Sequence, residues 1–196
     1  MPRPPDPDVE DRILNAAQKL WNKGAEKALT MRAVAQAAGT NTPAVYRRFA
    51  NRQEILRVLL LRIQQEVVDL LEFSRSPEDV CERYLDFALS HPHEYELFHL
   101  HAREYGVFRV QPNRASPSGE PRPGIEVMKK KLAEWLGGSP EEHVALTLAL
   151  WSLAHGTAML IISKTVPAEH VTNMRSIFTA SVKTLIGGAA SISLQK

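Results

Sequence analysis

The sequence predicts an all-α protein, and three observations carry that expectation. Apolar residues recur at three- and four-residue steps over most of the 196-residue chain, the spacing of one helical face. Helix-start signals repeat at Thr30, Asn41, Asn51, Ser76-Pro77 and Ser139-Pro140, where a side-chain oxygen can accept an N–H that the first turn leaves unpaired. Strand signals are missing throughout, and no unit recurs at a fixed period as a solenoid would require.

Taken in order, residues 1–8 are proline-rich and read as a flexible arm, with Arg3 beside Asp6 and Asp8. A first helix is expected from Val9 to Lys23, with Val9, Ile13, Ala17, Leu20 and Trp21 on its apolar stripe and Gly24 as its end. Trp21 is expected in the core. Thr30 caps a short helix whose inner face is Met31, Val34, Ala35 and Ala38, and Gly39 closes it. Asn41 caps the next, where Pro43 is tolerated because first-turn N–H groups have no intrahelical partner. Val45 and Phe49 point inward there, leaving Thr42, Tyr46, Arg47 and Arg48 outside. Asn51 and Glu54 form a capping box for a long helix toward Leu71. Ser76-Pro77 starts another that stops near His91-Pro92, and a further helix spans His93 to Tyr105.

Residues 106–124 carry Pro112, Pro117, Pro121 and Pro123 among Ser, Asn and Gly and read as a long loop. Helical periodicity resumes through Ile125, Met128, Leu132 and Trp135, with Lys129-Lys130-Lys131 expected on a solvated outer face. Gly137-Gly138 breaks that helix. Ser139-Pro140-Glu141-Glu142 starts the next, which holds Leu146, Leu150, Leu153, Ala154, Thr157 and Ala158. A last helix begins near Pro167 and ends before Gly187-Gly188, leaving residues 189–196 as a fraying tail.

Two short helices, a glycine-containing turn and basic residues crowding the second helix describe a helix-turn-helix. Residues 1–57 hold ten Lys/Arg against six Asp/Glu, although the whole chain carries only +2. A basic head suits a polyanion partner. The candidate DNA-binding residues are Thr30, Arg32, Thr40, Asn41, Thr42, Pro43, Ala44, Tyr46, Arg47, Arg48 and Arg52. Thr42, Ala44, Tyr46 and Arg47 are expected to face the groove. Thr30, Arg48 and Arg52 are expected to hold phosphates, which position the helix without reading sequence.

At these residues the chain resembles the TetR (tetracycline repressor) family of bacterial regulators. The resemblance runs through Ile13-Leu14-Asn15-Ala16-Ala17, Thr30-Met31, Val34-Ala35, Ala38-Gly39, Val45-Tyr46, Phe49 and Asn51-Arg52-Gln53-Glu54-Ile55-Leu56. Pro43, Arg48 and Arg52 stand where family members often carry glycine, histidine and lysine. Trp151-Ser152-Leu153-Ala154-His155-Gly156 resembles a Trp-x-x-x-His-Gly signature of one effector-domain class, and Pro92-His93-Glu94-Tyr95 its Pro-x-x-Tyr segment. The resemblance implies a DNA-binding domain over residues 9–56, a helical effector-binding and dimerisation domain over 57–188, and repression as the usual mode. It also implies that the long fourth helix connects the two.

The last two helices are too apolar to face water on all sides, so a homodimer through them is expected, with two recognition helices for a palindromic double-stranded operator. Tyr95, Phe98, His99, Tyr105, Met128, Trp135, Trp151, His155 and Met159 are the candidate ligand-binding residues. Together they would suit a small apolar or aromatic effector with a polar end, though core packing accounts for each singly.

No phosphate loop, His-Glu-x-x-His or Gly-x-Ser-x-Gly appears, so no catalytic residue, metal or cofactor is expected. His91/His93 and His99/His101 are two apart and turn to different helical faces. The lone Cys81 excludes an intrachain disulfide and suits packing. The apolar stretch 144–163 is interrupted by Ser152, His155, Gly156 and Thr157, so a soluble, cytoplasmic chain is expected rather than a membrane span. A helical carrier or enzyme is the rival class, and it leaves Arg47, Arg48 and Arg52 unexplained.

Overall fold

A computed structural model describes residues 8–102, 104, 105, 107 and 123–193. Among them the chain forms nine α-helices and no strand: α1 (Val9–Ala28), α2 (Met31–Ala37), α3 (Thr42–Arg48), α4 (Arg52–Glu72), α5 (Pro77–Ser90), α6 (Pro92–His101), α7 (Pro123–Leu136), α8 (Val144–Ile162) and α9 (Val171–Ser193). Short 3-10 turns, Pro140–His143 and Ala168–His170, lead into α8 and α9. The all-α expectation holds. The arm at residues 1–7, most of the loop expected over 106–124 and the last residues of the tail lie outside the described residues.

The expected caps form. Thr30 Oγ1 accepts from the Ala33 N–H at 3.1 Å, Asn41 Oδ1 from Ala44 at 2.9 Å and Asn51 Oδ1 from Glu54 at 2.9 Å. Ser76 Oγ accepts from Asp79 at 3.2 Å, and Glu142 Oε1 accepts from the Ser139 N–H at 2.9 Å. Each such bond satisfies a donor that the helix itself cannot, worth about 1 kcal/mol. Asp79 reaches back to the Arg75 N–H, the largest of the influences holding its carboxyl below the ordinary range. Gly39 sits at φ +63° between α2 and α3, a backbone state open to glycine without Cβ strain.

The chain divides into two compact units, and the boundary falls inside α4. The first unit comprises residues 1–63 and 93–107, so α6 belongs with α1–α3. Its core is Ile13, Ala17, Leu29, Val45, Ile55, Leu56 and Leu59, all fully buried. Trp21 is buried as expected, and its Nε1 donates to the His93 carbonyl at 3.3 Å. The carboxylate of Glu94, buried at the start of α6, accepts from Gln18 Nε2 at 3.2 Å and Asn22 Nδ2 at 2.8 Å. Through these bonds α6 is seated on α1.

The second unit comprises residues 64–92 and 108–196. Within it α8 packs on α5, α7 and α9, around Val80, Leu85, Leu132, Leu150, Ala154, Phe178 and Val182. Arg175 on α9 ion-pairs with Asp86 on α5 at 2.5 Å, and Thr179 Oγ1 donates to Glu82 Oε1.

Five local expectations are corrected. Helix α1 does not end at Gly24 but continues to Ala28, because the helix-favouring Glu26-Lys27-Ala28 turn delivers Leu29 into the core. Likewise α9 runs through Gly187-Gly188 to Ser193. Pro123 and Gly124, expected in the loop, open α7. Finally, Lys129, Lys130 and Lys131 do not share an outer face, since successive helical residues are about 100° apart. Lys129 is buried with its ammonium 2.8 Å from Glu126 and 3.7 Å from Glu141, whereas Lys130 is exposed. Trp135, expected on the apolar stripe of α7, is 59% exposed.

Candidate functional site

The basic surface is built on α3. Because Val45 and Phe49 are buried beneath it, the side turned away from the core carries Pro43, Tyr46 and Arg47, all exposed, flanked by the half-buried Thr42. Tyr46 is 55% exposed. Ala44, expected to face the groove, is instead buried. It lies about 100° from the outward sector and contributes its N–H to the Asn41 cap. Thr30 and Arg32 are exposed at the start of α2, and Thr40 is half-buried in the turn. In capping α2, the Thr30 hydroxyl acts only as an acceptor, so its own proton can still be donated.

Both arginines expected to hold phosphates face carboxylates of α1. Arg48 lies 3.7 Å from Glu10. Arg52, at the first residue of α4, places Nη2 2.5 Å from Glu26 Oε1, and its Nη1 donates to the Glu26 main-chain carbonyl at 3.3 Å. Sequence reading missed these partners, which are 26 or more positions away along the chain.

The candidate ligand residues divide between the two units. Tyr95, Phe98, His99 and Tyr105 belong to the first, and Met128, Trp135, Trp151, His155 and Met159 to the second. In the first, the Tyr95 and His99 rings are 4.3 Å apart, and Phe98 meets His99 edge-on at 5.4 Å. Burial, followed by the charge of Glu104, raises the Tyr105 hydroxyl above its ordinary pKa.

In the second unit the Trp151 and His155 rings stack, centroids 5.6 Å apart and 23° between planes. The Trp151 indole N–H donates to the Tyr84 hydroxyl at 3.2 Å. Met128 is buried and Met159 half-buried. Tyr84 is not among the candidates read from the sequence, because its spacing on α5 reads as core and its contact with Trp151 joins positions 67 apart. Among the described residues, no three His, Cys, Asp or Glu side chains are grouped to hold a metal ion.

Comparison with known proteins fits this geometry. Residues 13–59 match the family model described as bacterial regulatory proteins, tetR family, and residues 78–185 match that of the tetracyclin repressor-like C-terminal domain. The chain belongs to the TetR family, whose members are ligand-responsive, DNA-binding transcription regulators rather than enzymes. They are soluble, bind small-molecule effectors and act as dimers.

Similar solved structures include a protein of unknown function from Rhodococcus sp. RHA1, at 18% identity and TM-score 0.68, covering 95% of this chain and 97% of that one. The transcriptional regulator SCO7222, a TetR from Streptomyces coelicolor, is 18% identical with TM-score 0.62, covering 94% and 98%. A point variant of TetR from Acinetobacter baumannii AYE, in complex with minocycline, is 17% identical with TM-score 0.60, covering 92% and 96%. At these identities the structures share the fold alone. No curated protein sequence matches significantly.

Proposed function

We propose that this regulator is a cytoplasmic repressor that binds a palindromic operator as a homodimer and is released by a small apolar or aromatic effector. The observation that carries the proposal is α3: a helix capped at Asn41 whose outward side presents Pro43, Tyr46 and Arg47. Arg47 and Thr42 read base edges, Tyr46 reaches a phosphate, and Thr30, Arg32 and Arg48 hold the flanking backbone. Residues 9–56 supply the DNA contacts, and residues 57–188 the effector and dimer contacts.

The surface of α8 and α9 supports the dimer. On α8, Ala145, Ala149, Ser152 and Leu160 are exposed, and a Cβ added at Gly156 would meet nothing within 4 Å. On α9, Ile177, Ala180, Thr184 and Gly188 form an exposed stripe without a charge. Two such surfaces from two chains would bury each other in a four-helix contact. That pairing also accounts for Pro140–Ile162 being apolar enough, by length and composition, to cross a membrane.

For the effector, the Tyr84–Trp151–His155 group offers aromatic faces together with a phenol and an imidazole that can fix a polar end. The effector acts by binding more tightly to the form of the dimer that fits the operator less well.

The test is selection of duplexes from a random pool. The wild-type chain should enrich a two-fold symmetric site, and the Tyr46→Ala, Arg47→Ala double variant should lose that preference by roughly tenfold or more. A double variant that enriches the same site as strongly would remove α3 from the reading role.

A further inference from the structure

We infer that Arg52 is a positioning residue, which acts on DNA binding through Glu26 rather than by touching a phosphate. The inference rests on the DNA-binding reading above and assigns Arg52 a different job within it. One guanidinium engages one residue twice: Nη2 meets Glu26 Oε1 at 2.5 Å, and Nη1 donates to the Glu26 carbonyl at 3.3 Å. That carbonyl lies in the last turn of α1 and already accepts the Leu29 N–H at 3.3 Å, so the arginine is its second donor. A cation at a helix C-terminus also complements the partial negative charge there. The planar fork of arginine suits this double contact, whereas the single ammonium of a lysine does not reproduce it.

The consequence lies in what the contact encloses. Between Glu26 and Arg52 runs the whole helix-turn-helix, entered through the fully buried Leu29 and the Thr30 cap. The contact ties the last turn of α1 to the first residue of α4, so both ends of the α2–turn–α3 segment are fixed to neighbouring helices. Arg48 and Glu10, 3.7 Å apart, add a separate tie from the end of α3 to the start of α1. With two of its five N–H donors on Glu26 and its charge matched there, Arg52 adds no net counterion release on this reading. The pair is also largely open to solvent, with side-chain exposures of 36% and 50%. Such pairs add little to global stability, so variants should remain folded.

The test is a double-variant cycle with Arg52→Ala, Glu26→Ala and both together, using the duplex that the wild-type chain selects and an unrelated duplex across a salt series. Each single variant should lose roughly two- to fivefold in affinity for the selected duplex and little for the unrelated one, and the double variant should be no worse than the weaker single. The slope of affinity against salt should stay that of the wild type. Amide exchange in the first turn of α2 should speed up in both single variants. Arg52→Gln and Glu26→Gln, which keep neutral hydrogen-bonding groups, provide a milder pair if the alanine variants unfold.

Two results would overturn the inference. One is a slope reduced by about one in Arg52→Ala, with tighter binding to both duplexes in Glu26→Ala, as a phosphate contact requires. The other is an unchanged ratio of selected to unrelated affinity in both single variants, which would leave the pair a surface contact. If the wild-type chain selects no duplex, the functional reading fails, and the exchange measurement still decides whether Glu26 and Arg52 hold the start of α2.

Discussion

At the scale of single residues, several polar side chains hold one helix to another. Glu94 shows why such roles escape a sequence. A glutamate in the first turn of a helix reads as solvated, yet this one is buried and accepts from Gln18 and Asn22, 76 and 72 positions away. Arg52 follows the same logic, since its charge is legible while its partner is not. Cys81 is the opposite case. Its apolar surroundings on α5 are readable from spacing, and the structure buries it and pushes its thiol up to about 12. Against the ordinary value of 9.0, that leaves about a thousandfold less thiolate at pH 8. Labelling of the native chain by a thiol-reactive dye should therefore be slow, becoming fast in denaturant. Rapid labelling of the native chain would show that α5 opens locally.

At the scale of elements, α8 and α9 carry the sharpest expectation. Gly156 is the informative position, because leucine there improves helix propensity by up to about 1 kcal/mol and a Cβ there meets nothing within 4 Å in the single chain. If the two chains pair across this surface, Gly156→Leu should instead separate them. Sedimentation should show monomers that keep their helical circular dichroism and bind DNA weakly. A variant that stays dimeric would move the interface elsewhere. Element starts were legible because capping is local: Thr30, Asn41, Asn51 and Ser76 each bond within three residues. Element ends were less so. Gly24 and Gly187-Gly188 read as stops, yet both helices continue, and after Gly24 the burial of Leu29 outweighs a glycine's cost. The three lysines of α7 failed as a single face for a geometric reason that residue spacing alone supplies.

At the scale of the whole molecule, the all-α class followed from period and from the missing strand signals, and the family from ordered motifs in the first third of the chain, with matches now covering residues 13–59 and 78–185. The grouping of α6 with α1–α3 was not legible, because it rests on contacts about seventy positions apart. It matters for the proposed switch, since α6 is the helix that carries Glu94 onto α1. The central claim is that the basic head reads DNA, and one measurement bears on it most directly: binding of the purified chain to fragments flanking its own gene, titrated across salt. One fragment should be retained specifically, with affinity falling steeply as salt rises. Weak, uniform binding to every fragment would contradict the account.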